Sequence, residues 1–148
     1  MRLEIRCIGQ NNDSALNQEI TKFSERLSHP FQANIKIYPH SKSKNISVQK
    51  SEEAQLLLSN IPKNSLLIAT AIKGKNYSTE GLFQLIKTEQ QAVIFIGGCN
   101  GLDASVTKIC QHTWSLSNLT LPHTLVRLIV IEQWYRLNCI FKNHPYHK

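Results

Sequence analysis

Apolar residues along this chain recur with two periods, near 2 and near 3.6, and the two patterns alternate from one end to the other. Leu3, Ile5, Cys7 and Gly9 read as a first strand. Asp13 or Ser14 can cap a helix whose apolar face is Leu16, Ile20, Phe23 and Leu27. Ala33 to Tyr38 returns as a strand that Pro39 ends, and the polar, basic run His40 to Asn45 reads as a mobile loop. A helix begun near Ser47 continues from Glu53 to Asn60, and Pro62 stops it. Leu66 to Ile72 is apolar on both faces, as buried parallel strands are, and Lys73-Gly74-Lys75 is expected to break it.

Ser78 or Thr79 caps the next helix, through Leu82, Phe83, Leu85 and Ile86, and Val93 to Ile96 is the following strand. Asp103 caps a helix carrying Val106, Ile109 and Cys110; Ser115 to Leu121 is expected to be short and extended. A long final helix runs from Leu125 to about Phe141, with Pro122 suited to its first turn. The alternation predicts one α/β domain over residues 1–148, with a mostly parallel sheet and helices on both faces.

Ligands of such sheets sit beyond the carboxyl ends of the strands. That places the loops after Ile72, after Ile96 and before Pro122 at one rim, provided the three strands are neighbours. The loop after Ile96 is Gly97-Gly98-Cys99-Asn100-Gly101, where glycine permits close approach to the main chain. The loop Leu116-Ser117-Asn118-Leu119-Thr120-Leu121 offers backbone hydrogen-bonding groups and leucine walls, and the helix start behind it presents unpaired N–H groups. Either loop is also compatible with an ordinary turn.

Charge narrows the partners. Lys and Arg total 17 against 10 Asp and Glu, a formal net charge of +7, which favours an anionic partner with nucleic acid first. Lys42, Lys44 and Lys50 are either a solvated group or a phosphate-contacting patch. The start carries no secretory pattern, and the charges inside the last helix exclude a membrane span. Four scattered cysteines and six histidines show neither disulfide nor metal-ligand spacing; free thiols fit a reducing cytoplasm. His123 is a base or a capping group. Glu132 and Arg136, spaced i, i+4, form an intrahelical ion pair or put an arginine near substrate. Trp134 and Tyr135 fit a core or a dimer face.

The ordered series Ile96-Gly97-Gly98-x-Asn100-Gly101-Leu102, Ser115-Leu116-Ser117, Leu119-Thr120-Leu121-Pro122-His123, Val126-Arg127, Glu132-Gln133-x-Tyr135-Arg136 and Tyr146-His147-Lys148 resembles the ribosomal large-subunit pseudouridine N3-methyltransferase family of the SPOUT class. The likeness runs the length of the chain. It implies a C-terminal trefoil knot, which bottom-up reasoning would exclude. It also implies S-adenosylmethionine as methyl donor, a homodimer, and 23S ribosomal RNA in the assembled ribosome as substrate. By position it assigns cofactor contacts to Thr70, Gly97 and Leu116 through Leu121, and it strengthens the reading of the polar tail, which otherwise frays, as catalytic through Tyr146 and His147, with Arg136 beside substrate or the dimer partner. Thr70-Ala71 stands where the family often has leucine and an acid, and Cys99 where serine or proline is usual. Competing readings are a knotted methyltransferase acting on tRNA and a non-enzymatic RNA-binding module.

Overall fold

Five parallel strands form one sheet in the order β2-β1-β4-β3-β5: β1 Arg2–Ile8, β2 Gln32–Tyr38, β3 Leu66–Asn76, β4 Gln91–Ile96 and β5 His112–Ser115. The computed structural model describes residues 1–10 and 12–147; Asn11 and Lys148, the last of the terminal triplet, lie outside the described residues. Five helices connect or follow the strands: α1 Ser14–Glu25, α2 Ile46–Leu58, α3 Thr79–Ile86, α4 Ala104–Ile109 and α5 His123–Phe141. The expected α/β sheet is therefore present, and wholly parallel.

Alternation along the strands divides the core into two layers. Leu3, Ile5 and Cys7 of β1 face the same side as Ala92, Ile94 and Ile96 of β4, where α1, α3 and α5 cover them with Ile20, Leu82, Ile86, Val130, Ile131 and Trp134. Ile8, Val93 and Phe95 face the other side, against Ala54 and Leu57 of α2 and Val106 of α4. Helices thus lie on both faces, as the burial of a parallel sheet requires.

Local chemistry starts the helices. Asp13, Asn45, Ser78 and Asp103 each accept a backbone N–H of the first turn, from Leu16, from Ser47 and Val48, from Gly81, and from Ser105. The end of α2 is held differently. Arg6, fully buried in β1, donates through Nη1 to Leu57 and Ser59 carbonyls and through Nη2 to the Asn60 carbonyl, while its Nε meets Glu4 at 2.5 Å. One strand residue thereby satisfies three carbonyls at the end of a helix.

Four expectations are corrected. Lys73-Gly74-Lys75 does not break the strand: β3 continues to Asn76, with its register against β5 shifting between Thr70 and Lys75. Glycine is what allows it, since a Cβ on Gly74 would sit 2.7 Å from the Ser115 nitrogen and the Thr113 carbonyl oxygen. The extended segment is His112–Ser115 rather than Ser115–Leu121, because only the former finds a ladder partner in β3. The helix α4 stops at Ile109, and Cys110 is its cap. The run His40–Asn45 is bonded rather than loose: the Ser41 N–H donates to Glu53 Oε1 at 3.2 Å and its hydroxyl to Glu52. No helix among the described residues is long and apolar enough to cross a membrane.

Candidate active site

Because β4, β3 and β5 are neighbours, the loops that leave their carboxyl ends share one rim. There they enclose a cleft of about 920 Å³, within the size range of small-molecule sites. Its walls are residues 70–73 from the irregular part of β3, residues 96–102 from the end of β4 and the loop after it, Trp114 from β5, and the segment 116–123 without Asn118, with Val126 from the first turns of α5. Of the eight cofactor positions expected from the sequence, seven are brought together here. Asn118, between Ser117 and Leu119, is not among the lining residues.

Glycine shapes the second wall. A Cβ on Gly97 would meet Gly101 and Leu102 main-chain atoms at 2.6 to 2.9 Å, so the close approach at this glycine is made by the chain itself. The loop closes on a Gly101 N–H to Gly98 carbonyl bond of 3.0 Å, with Gly101 at φ +73°, and Asn100 donates to Gln49 of α2 at 2.9 Å. The third wall is fixed by the Ser117 hydroxyl, which accepts the Leu119 N–H at 3.0 Å. Leu119 is 69% exposed, an apolar side chain held out at the cleft mouth. The Thr70 hydroxyl donates to the Phe95 carbonyl at 2.9 Å, tying β3 to β4 where the cleft begins.

Pro122 occupies the cap position of α5 rather than its first turn, with ψ of 140° and no side-chain cap bond. The N–H groups of the following turn are left for another acceptor. His123 is the next residue. Burial, the Arg127 guanidinium and the neighbouring His40 together hold its imidazole below the ordinary value of 6.5. His40 stands edge-on to it, ring centres 5.9 Å apart, and its Nδ1 lies 3.4 Å from Glu53 Oε1. Glu53 is buried on α2. Neither His40 nor Glu53 was visible as a site residue in the sequence. The only signal was an acid four positions before Leu57, on the face of α2 that packs inward.

The residues expected to be catalytic gather elsewhere, toward the other end of α5. Arg136 Nε meets Glu132 Oε1 at 2.5 Å; Tyr146 donates to the same oxygen at 3.2 Å, lies 4.8 Å from the Tyr135 ring, and has the Arg136 guanidinium 4.9 Å over its face. The His147 ring pairs with Glu80 of α3 at 3.0 Å. Burial and Glu132 raise the Tyr146 phenol above its ordinary value. None of these three residues lines the cleft. Thirteen helical residues at 1.5 Å each put Arg136 roughly 20 Å along the axis from His123. Trp134 is core, not surface: it packs on Phe31 with ring centres 5.3 Å apart, and its Nε1 donates to the Gln32 carbonyl.

Comparison with known proteins gives this geometry a family. A family model described as a predicted SPOUT methyltransferase matches residues 1–147. Curated relatives named ribosomal RNA large subunit methyltransferase H are similar over their whole length. The proteins of Halothermothrix orenii and of Legionella pneumophila strain Paris are each 33% identical, across 100% of this chain and 100% and 99% of their own. That of Xanthomonas oryzae pv. oryzae strain PXO99A is 34% identical, across 100% of this chain and 99% of its own. With its parallel sheet, its rim of three loops and a match from end to end, the chain belongs to the SPOUT methyltransferase family.

Proposed function

We propose that this protein transfers a methyl group from S-adenosylmethionine to N3 of a pseudouridine in 23S ribosomal RNA, acting on the assembled ribosome in the cytoplasm. The observation that carries the reading is the meeting of the Gly97–Leu102 and Leu116–Pro122 loops with Thr70–Lys73 in one cleft. The residues present fit the cofactor. Main-chain groups of the loop 116–121 offer hydrogen bonds to an adenine edge, Leu116, Leu119 and Leu121 offer apolar cover, and Thr70 and Gly97 border the same space. When bound, S-adenosylmethionine would supply an electrophilic methyl on sulfur.

The chain's own part is to hold the base in line and to stabilise negative charge on it. A partner subunit's tail is the natural means, because Arg136, Tyr146 and His147 are too far from their own cleft to act there. We therefore read the protein as a homodimer in which the tail of one subunit acts at the cleft of the other: Tyr146 and His147 against the base, Arg136 on its developing charge. The positive charge of the molecule supports an RNA substrate without saying which RNA; the names of the relatives favour ribosomal RNA over tRNA.

Deletion of residues 144–148 tests the arrangement. Affinity for S-adenosylmethionine, measured by calorimetry, should stay close to wild type, while methyl transfer to ribosomes falls by about a hundredfold or more, as for loss of groups acting only in the transition state. Unchanged turnover would remove the tail from the site.

A further inference from the structure

Methylation at a ring nitrogen that carries hydrogen needs an acceptor for that hydrogen, and the cleft contains one candidate. We propose that His123 takes the proton from the target nitrogen, with Arg127, His40 and Glu53 as positioning residues behind it. The proposal rests on the methyl-transfer reading above and deepens it.

Three observations carry it. The first is location: His123 is the one histidine among the described residues that lines the cleft, and no hydrogen bond to its ring is made among them. The other groups are engaged or unsuited. Tyr146 and His147 are bound to Glu132 and Glu80, and Thr70 donates to Phe95. The Cys99 thiol lies in the exposed part of the glycine loop.

The second is placement. The Nε2–Cδ2 edge of the imidazole lies on Gly9, where a Cβ would come within 2.4 Å of Nε2. Gly9 has φ of +152°, a conformation that glycine adopts readily, so β1 is followed by a residue whose missing side chain makes room for the ring. His40 closes the other side edge-on, its Nδ1 3.4 Å from the buried Glu53 Oε1 but without a hydrogen-bond partner. Gly98 lets this pair approach: a Cβ there would stand 3.1 Å from His40 Nδ1 and 3.2 Å from Glu53 Oε2.

The third is charge. Arg127, 1% exposed, donates through Nη2 to the Gln10 carbonyl, leaves Nε without a partner, and has no carboxylate within ion-pair distance among the described residues. A buried guanidinium without a counter-ion repels a second cation beside it. Cys7, its neighbour on β1, cannot neutralise it, since burial pushes that thiol up to about 11. Burial first, then Arg127 and His40, hold the His123 imidazole below its ordinary value and so favour the uncharged form, ready to accept. The balance is simple. The N–H proton moves to an imidazole nitrogen, the nitrogen's pair forms the new N–C bond, and the old C–S pair stays with sulfur, the sulfonium donor becoming a neutral thioether. The imidazolium, disfavoured by Arg127, then gives its proton to water.

The test joins a spectroscopic titration to a rate profile on the full chain. NMR of the free protein, with His123→Gln for assignment, gives the midpoint of His123, expected below 6.5. The acid limb of kcat/KM for ribosome methylation, which reports the free enzyme, should fall at that same midpoint. His123→Gln should lose the limb and roughly 10²- to 10⁴-fold in rate, the usual worth of a proton acceptor. His40→Gln, outside the cleft, should move the NMR midpoint and the limb upward together. If His123→Gln does not bind S-adenosylmethionine, the wild type and His40→Gln decide. A limb that survives in His123→Gln, or that stays put in His40→Gln while the NMR midpoint moves, overturns the assignment with methyl transfer still standing. A wild type that methylates at no pH overturns both.

Discussion

Gly9 and Gly97 set the geometry of the candidate site through the side chains they lack. Gly97→Ala places a Cβ against its own backbone at Gly101 and Leu102, so it should lower both thermal stability and cofactor affinity. A variant with normal Tm and normal affinity would refute that packing role. The pair of glycines after an apolar strand was legible in the sequence, but its physical role was not: the sequence suggested room for a ligand, and the nearest atoms are the loop's own. His123 shows the same division. Its position beside the proline was plain, and Arg127 follows it at i, i+4 on the same helix, whereas the second imidazole comes from residue 40, which only folding brings near. Because the fold lowers the His123 value, the unfolded chain binds the proton more tightly, and stability must fall as pH drops through 6.5. Chemical denaturation of wild type and His123→Gln between pH 7.5 and 5.5 should show a smaller acid loss in the variant, and equal slopes would contradict it.

Among the elements, α2 and α5 depend most on partners distant in sequence. Arg6 binds the carbonyls of Leu57, Ser59 and Asn60 and the carboxylate of Glu4, which Lys36 also meets at 3.0 Å. Arg6→Met strands those acceptors in the interior, and the expected cost is about 3–5 kcal/mol in urea unfolding, the range for breaking a buried ion pair. A loss below ~1 kcal/mol would mean that water replaces the guanidinium. For Glu4, burial raises the carboxyl, but Lys36 and Arg6 outweigh it and hold it below the ordinary value of 4.5. Its contribution is present above that value and disappears as pH falls through the lower, folded one. Period and caps made three of the helix starts readable, since Asp13, Ser78 and Asp103 act through local bonds, while the cap at Asn45 was hidden in a run that reads as loop. The passage of β3 through Lys73-Gly74-Lys75 was not readable, because it depends on a close neighbour strand that local propensity cannot report.

At the scale of the whole molecule, a single chain keeps its two candidate clusters apart. The cleft lies at the start of α5, and Arg136, Tyr146 and His147 lie toward its end, bound to carboxylates of the same chain. Periodicity predicted the parallel sheet and its two helical layers; it carried no information on threading, which is why the knot entered only by resemblance. Nor could it foresee the separation of the clusters, a consequence of helix length and packing. The separation predicts function as a dimer. Light scattering at micromolar concentration should give twice the mass of 16.9 kDa, and mixing a tail-deleted chain with a cleft-defective one should restore part of the activity that each has lost. A clean monomer with full activity would contradict the shared site. The most direct measurement is nucleoside mass spectrometry of 23S ribosomal RNA from ribosomes lacking the modification, incubated with this protein and S-adenosylmethionine. The account predicts N3-methylpseudouridine at one position, formed only with both present. Ribosomes that gain no methyl group, or that gain it at another base or on tRNA alone, would contradict it.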